Sequence, residues 1–117
     1  MEFTGLKWLG TRTDKFAETV SFFRDVMKLE VKEIQESFAW FLLPNGDEVE
    51  VFGVEEPNHK YFTIGPVPGF GVTDIEEARR ELETAGVEFI GEIHGEPGGR
   101  WSHFYGPDGN VYEITGA

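Results

Sequence analysis

The chain has no cysteine, few basic residues and no long apolar segment. Without cysteine it can form neither disulfides nor thiolate metal sites. Its 10 lysines and arginines are outnumbered by 22 aspartates and glutamates, and the net charge of −12 disfavours nucleic acids and anionic membranes as partners. The same charge suits a cationic ligand, although solubility alone would also explain it. The sequence lacks both a bilayer-spanning apolar run and a signal peptide at MEFTGLKW, so we expect a cytoplasmic protein.

One segment of the sequence occurs twice, once in a looser form. Residues 100–114 read RWSHFYGPDGNVYEI, and residues 37–51 read SFAWFLLPNGDEVEV. Aligned without a gap, the two copies pair Phe41 with Phe104 and Glu50 with Glu113, and both place Pro-Asn/Asp-Gly between alternating strands. This pattern predicts a β-hairpin in each copy, because proline presets φ in the turn and glycine accepts a positive φ.

The elements around these hairpins also occur twice, in the same order. In the first half we predict a strand over 5–13, a helix over 16–27 and a strand over 29–34. In the second half we predict a strand over 67–72, a helix over 75–85, a strand over 87–93 and a loop over 95–99. The chain is therefore predicted to be one α+β domain of 1–117, with two βαβββ modules at about 1–54 and 66–117 and a linker at 55–65.

The repeated unit also predicts a cavity. A sheet of four strands with one helix leaves its other face uncovered, and an isolated unit would leave that face wet. Two units side by side would curve their mixed sheets around a shared cavity, which is the expected site.

Three segments of the sequence resemble a known family. The segments TDKFAETVSFFRDVMKLEV, GVTDIEEARRELETAGVEF and FYGPDGNVYEI resemble the vicinal oxygen chelate superfamily over essentially the whole chain. That superfamily includes glyoxalase I, methylmalonyl-CoA epimerase, extradiol dioxygenases, and fosfomycin- and bleomycin-resistance proteins. The resemblance implies the glyoxalase/bleomycin-resistance fold, but it implies much less about activity, because one fold supports many functions.

The resemblance also implies where metal ligands would lie. The metalloenzymes of the superfamily place ligands on the first and last strands of each module, and these positions correspond to Trp8, Glu50, Val67 and Glu113. Tryptophan and valine cannot bind a metal, so the resemblance implies a member without a metal cofactor. A divalent metal held by Glu50, Glu113 and His103 is the alternative. The other two histidines, His59 and His94, are expected at the solvated surface.

The predicted cavity lining is aromatic and acidic. Strand alternation and the internal repeat place three carboxylates in the cavity, those of Glu48, Glu50 and Glu113. The same pattern places five ring-bearing side chains around them: Trp8, Phe38, Trp40, Trp101 and His103. Arg12 shares a face with Trp8 and is a candidate for the rim, or it pairs with a surface acid. Some of the rings could instead fill the core. Aromatic walls around acids suit a flat or cationic ligand, and crowded carboxylates raise each other's pKa.

Two functions follow from this lining. The first is a binding protein that resembles bleomycin-resistance proteins and holds a small molecule without altering it or using a cofactor. The second is a lyase or isomerase of the glyoxalase type, in which Glu50 or Glu113 is the general base and Arg12 or His103 stabilises an oxyanion. We also predict a homodimer, because family members often bury a sheet edge or an open face between two chains.

Overall fold

Eight strands form one continuous curved sheet in the computed structural model, which describes residues 1–117. The strands are β1 (Phe3–Thr13), β2 (Glu30–Ile34), β3 (Phe38–Leu42), β4 (Glu48–Gly53), β5 (Val67–Val72), β6 (Phe89–Glu96), β7 (Gly99–Tyr105) and β8 (Val111–Gly116). Their order across the sheet is β2-β3-β4-β1-β5-β8-β7-β6. Each half has the same order when read from its edge to the centre, so the predicted α+β fold with a repeated unit is confirmed.

The two halves meet at the centre of the sheet. There β1 and β5 pair in antiparallel fashion, with Trp8 opposite Gly69. On the outer side of each central strand lies a parallel partner: Gly10 of β1 pairs with Glu50 of β4, and Gly69 of β5 pairs with Glu113 of β8. The two glutamates therefore occupy equivalent places on the two sides of the centre, and both halves of the cavity come from a single chain.

Two short α-helices cover one face of the sheet. The first is α1 (Phe16–Ser21), which continues as a π-helical segment over Phe22–Val26, and the second is α2 (Ile75–Thr84). The prediction of one regular helix over 16–27 was therefore only partly right, because the wider π-helical hydrogen bonds replace its second half. Asp74 caps α2 by accepting a hydrogen bond from the Glu77 amide. Neither helix has the length and apolarity that crossing a membrane requires.

The apolar side chains form three clusters. Two lie beneath the helices: Val20 packs on Phe41 in one, and Ile75 packs on Ile114 in the other. The third contains Phe52 and Val67 from the strands, together with Phe62 from the segment between β4 and β5. That segment, residues 54–66, is called the linker below. Since the linker supplies a buried phenylalanine, it packs against the sheet and does more than join the two halves.

The turns follow the predicted chemistry, with one difference. Gly46 and Gly109 close the β3–β4 and β7–β8 hairpins with φ of 89° and 82°. The loop predicted over 95–99 is shorter, because Glu96 pairs with Gly99 and leaves only a tight turn between β6 and β7. The predicted strand over 5–13 is also longer, since β1 begins at Phe3 and pairs there with β5.

Candidate functional site

The open face of the sheet contains a cavity of about 350 Å³, which we call the first lobe. Its lining residues come from both halves of the chain: Lys7, Trp8, Trp40, Glu48, Glu50, His59, Gly99, Trp101, Glu113 and Thr115. Glu48 and Glu50 both reach it because side chains two apart on a strand share a face. The first lobe therefore brings aromatic rings and carboxylates together, as the sequence predicts.

A second lobe of about 390 Å³ adjoins the first. Glu50, His59 and Trp101 line both lobes, so the two spaces meet at these side chains. The remaining lining of the second lobe comes from β3, β4, the linker and the turn before β3: Gln35, Phe38, Phe52, Glu56 and Asn58. Phe38, predicted to line the cavity, lies in this second lobe and packs on Phe52 with 5.5 Å between ring centroids.

Glu50 is held by Trp8. The indole Nε1 of Trp8 donates a 2.9 Å hydrogen bond to Glu50 Oε1. The ring passes so close to Gly10 that a Cβ atom there would lie 2.1 Å from the indole, so this arrangement requires glycine at position 10. Burial raises the pKa of Glu50 to about 7, and repulsion from Glu48 and Glu113 adds to the shift, whereas the Trp8 hydrogen bond opposes it. Glu50 is therefore present in both charge states near neutral pH.

Glu113 belongs to a buried hydrogen-bonded chain. Its Oε1 lies 2.9 Å from His103 Nε2, and His103 Nδ1 lies 2.8 Å from the hydroxyl of Tyr61. Burial raises the pKa of Glu113 well above its ordinary value and lowers the pKa of His103 to about 4. Both shifts favour the neutral form, so this hydrogen bond joins an uncharged carboxyl group to an uncharged imidazole. Glu113 Oε2 makes no hydrogen bond within the protein and faces the backbone at Gly69.

The linker supplies a histidine that sequence reasoning placed wrongly. His59 was expected at the surface, yet its ring stacks on Phe62 at 4.9 Å and meets His103 edge-on at 5.0 Å. Burial lowers the pKa of His59 to about 4, so the ring is neutral at neutral pH. Its φ of 62° is a left-handed conformation that costs free energy and is held by this packing. The one sequence feature that indicates an inward-facing linker is the aromatic pair Tyr61 and Phe62, in a segment that otherwise has no periodicity.

Arg12 does not lie where it was expected. It lines neither lobe, and its guanidinium donates hydrogen bonds to the backbone carbonyls of Val54, Glu56 and Asn58. The arginine fastens the linker to the end of β1. It thereby holds in place the segment that carries His59 into the cavity.

The other predicted residues divide by position. Trp8, Trp40 and Trp101 line the first lobe with Glu50 and Glu113. His103, only 1% exposed, lies behind Glu113 and reaches neither lobe. His94 is exposed at the edge of the sheet, as expected. Sequence reasoning also missed several lining residues whose polarity alone gave no signal, namely Lys7, Gln35, Asn58 and Thr115.

The donor set does not fit a metal ion of the kind the family resemblance implies. Trp8 offers an N–H donor and Val67 is fully buried among apolar side chains, so two of the four ligand positions carry no lone pair. Both ring nitrogens of His103 are engaged, by Tyr61 and by Glu113. No three histidine, aspartate or glutamate side chains are grouped so that they could share an ion, and the alternative site of Glu50, Glu113 and His103 is therefore not formed.

Comparison with known proteins agrees with this fold. The model of the Glyoxalase/Bleomycin resistance protein/Dioxygenase superfamily matches residues 5–114. The chain therefore belongs to this superfamily. No curated protein matches the chain.

Several solved structures share the fold at low sequence identity. The Mn(II)-bound glyoxalase from Novosphingobium aromaticivorans is 23% identical with a TM-score of 0.77, over 97% of this chain and 39% of that one. Methylmalonyl-CoA epimerase from Mycobacterium tuberculosis is 17% identical with a TM-score of 0.71, over 97% and 87% of the two chains. A glyoxalase/bleomycin resistance protein/dioxygenase superfamily member from Vibrio splendidus 12B01 is 24% identical with a TM-score of 0.64, over 92% and 94%.

Proposed function

We propose that the protein binds a flat or cationic small organic molecule in the first lobe. The observation that carries this proposal is the convergence of three tryptophans and three glutamates on one cavity: Trp8, Trp40, Trp101, Glu48, Glu50 and Glu113. A cation over an aromatic face gains electrostatic attraction, and the gain is larger where water is excluded. Carboxylates beside the rings add charge complementarity that an ammonium or amidinium group would satisfy.

Unused hydrogen-bonding atoms support the same proposal. The indole Nε1 atom of Trp101 is buried and has no hydrogen-bond partner within the protein, whereas the Trp40 indole lies beside the Glu48 carboxyl and opposes the rise in pKa that burial causes there. Glu113 Oε2, on a side chain that lines the cavity, also makes no hydrogen bond within the protein. Buried polar groups are usually paired, because leaving one unpaired costs about 1–3 kcal/mol. A ligand that carries an N–H donor would engage Glu113 Oε2.

Calorimetric titration tests this function. Benzyltrimethylammonium is a suitable probe, because it combines a fixed cation with a flat ring, and a bleomycin-type cationic glycopeptide tests the larger ligand class. We expect binding by the wild type, and at least about tenfold weaker binding by Trp101→Ala, since the ring faces both lobes. Tyr105→Ala removes an exposed ring outside both lobes and is the matched control. If neither probe gives binding heat at millimolar concentration, the proposal is contradicted.

A second candidate is proton transfer next to a carbonyl, with Glu50 as general base. The observation that favours it is the position of Glu50 on the cavity wall, where burial raises its pKa to about 7. Solved epimerases and a glyoxalase share the fold, which supports this candidate only loosely. Arg12 and His103 line neither lobe, so neither is placed to stabilise an oxyanion in this cavity.

Deuterium exchange into 2-oxo acids, followed by proton NMR, tests this second candidate. Exchange that the wild type catalyses and Glu50→Gln does not would support it. If Glu50→Gln and Glu113→Gln both retain the wild-type exchange rate, neither glutamate is the base. The same assay with added divalent metal shows whether a metal contributes.

We further propose that the chain forms a homodimer and works in the cytoplasm. The π-helical segment and the residue after it expose Phe22, Val26 and Met27 by 48%, 68% and 50%, which is a large apolar surface for a small domain. Light scattering that gives the mass of one chain would contradict the dimer.

A further inference from the structure

We propose that the two lobes form one extended site for a linear organic dication, such as an alkyl diamine or a polyamine, with one cationic group in each lobe. This inference rests on the cation-binding function proposed above. It adds a second subsite, and it specifies the class of ligand by length and by number of charges.

The two lobes adjoin at a waist. Glu50, His59 and Trp101 line both, so a ligand that occupies both lobes must run past this carboxylate, imidazole and indole. The volumes are similar, about 350 and 390 Å³, which makes the site elongated. A compact cation would fill one lobe and leave the other to water.

Strand geometry gives the length of the site. Glu48, Glu50 and Phe52 alternate along β4, and all three line the cavity, Glu48 in the first lobe and Phe52 in the second. Residues two apart on a strand are separated by roughly 7 Å, so the site runs for about 13 Å along β4. On the neighbouring strand, Trp40 lies opposite Glu50 and Phe38 lies opposite Phe52, and both rings form walls of the site.

The second lobe presents acceptors. The carboxylate of Glu56 lies in it and accepts a 2.9 Å hydrogen bond from Asn58 Nδ2. The side-chain carbonyl oxygens of Gln35 and Asn58 accept no hydrogen bond from the protein. No lysine or arginine lines this lobe, but the Arg12 guanidinium lies beside it, where it is hydrogen-bonded to the backbone carbonyls of Glu56 and Asn58. A group with several N–H donors and a positive charge is therefore the complement of the second lobe, and Phe38 and Trp101 supply aromatic faces for it.

The first lobe holds the other charge. Glu48 and Glu50 supply its carboxylates, and the basic residue that lines it, Lys7, lies 3.8 Å from the carboxylate of Asp47. Lys32 lies outside the lining, with its ammonium group 5.6 Å from the centroid of the Trp40 ring. Carboxylates at both ends of the site and at its waist thus match a ligand with a charge at each end better than a ligand with one charge.

Calorimetric titration with two matched series tests the proposal: α,ω-diaminoalkanes of four to ten carbons, and n-alkylamines of the same lengths. We expect an optimum diamine length, with roughly three- to tenfold tighter binding than the matching monoamine. Glu56→Gln should remove this advantage, so that its diamine and monoamine affinities become equal at each length. Glu55→Gln, an exposed neighbour outside both lobes, is the matched control and should keep it.

The possible outcomes separate the two proposals. Equal affinity for monoamines and diamines at every length would overturn the extended site and leave the cation-binding function intact. A diamine advantage that survives in Glu56→Gln and in Gln35→Ala would also overturn it, because the second charge would then lie elsewhere. Absence of binding by both series and by benzyltrimethylammonium would contradict the cation-binding function itself. Thermal unfolding of each variant establishes that it is folded.

Discussion

Trp8 donates a hydrogen bond of 2.9 Å from its indole nitrogen to Glu50 Oε1, across the parallel pair of β1 and β4. The family resemblance implies a metal ligand at the position of Trp8, and here an N–H donor holds the glutamate instead. The hydrogen bond favours the charged form of Glu50, while burial and the neighbouring glutamates favour the neutral form. The balance leaves this glutamate near its titration midpoint at neutral pH.

Removing the indole N–H donor of Trp8 should raise the pKa of Glu50. In Trp8→Phe an aromatic ring remains but the N–H group is lost, so we expect the pKa of Glu50 to rise above about 7. Carbon-13 NMR of the glutamate side-chain carboxyl groups over a pH titration measures this shift.

The control for this experiment is Trp101→Phe. Trp101 also lines the first lobe, but its Nε1 has no partner within the protein. We therefore expect the titration of Glu50 to change little in this variant. An unchanged or lower pKa in Trp8→Phe would mean that the hydrogen bond does not govern the charge of Glu50.

Stability should depend on pH through Glu50. Its pKa is raised from 4.5 in the unfolded chain to about 7 in the fold, so between these values the folded state binds more protons and stability falls as pH rises. Glu50→Gln removes this loss, and we expect it to exceed the wild type at pH 8 by up to about 3 kcal/mol and to match it near pH 4. Urea unfolding at both pH values measures the difference.

A matched substitution checks that this effect belongs to the cavity. Glu36→Gln changes the same chemical group at an exposed position between β2 and β3. Its effect on the free energy of unfolding should be small and equal at the two pH values. A similar gain at pH 8 in both variants would point to the net negative charge of the chain as the cause.

Gly69 should tolerate no side chain. A Cβ atom there would lie 2.6 Å from Glu113 Oε2 and 2.9 Å from Trp8 Cβ, so Gly69→Ala must displace the glutamate or the indole. We expect a loss of about 1–3 kcal/mol in the free energy of unfolding and weaker ligand binding. Gly65→Ala places a methyl group where no atom lies within 4 Å and should be close to neutral. Equal effects of the two substitutions would contradict the tight packing at Gly69.

Arg12 should govern the order of the linker. Its guanidinium is bonded to three linker carbonyls, so Arg12→Ala should release residues 54–62 and increase their amide hydrogen exchange, with little change in the helices. Mass spectrometry of the exchanging peptides measures this. Arg24→Ala removes an equal charge from an exposed site paired with Asp25 and should leave the linker unchanged. Unaltered exchange in Arg12→Ala would show that linker packing suffices without the arginine.

The sequence predicted those parts of the fold that depend on local chemistry and repetition. The hairpin turns at Gly46 and Gly109 follow from turn residues with a known backbone preference, and the doubled order of elements follows from the internal repeat. The module boundaries remain a prediction. The π-helical end of the first helix was missed, because its apolar residues recur at ordinary helical spacing.

The parts of the site that depend on tertiary packing could not be predicted. His59 lies in a segment with no periodicity, and only the packed Phe62 and His103 rings determine that it faces inward. The place of Arg12 depends on backbone carbonyls, which carry no sequence signal. By contrast, Trp8, Trp101 and Glu50 were placed around the cavity correctly by strand alternation, although the hydrogen bond between Trp8 and Glu50 was not foreseen.

The most direct test of the account is the number of protons released when a cation binds. Calorimetric titration of benzyltrimethylammonium at pH 7, repeated in buffers with different ionisation enthalpies, gives this number. A cation beside Glu50 favours the charged carboxylate, so we expect net proton release by the wild type and much less release by Glu50→Gln. Binding with no proton release, or with proton uptake, would contradict a cation site among these glutamates.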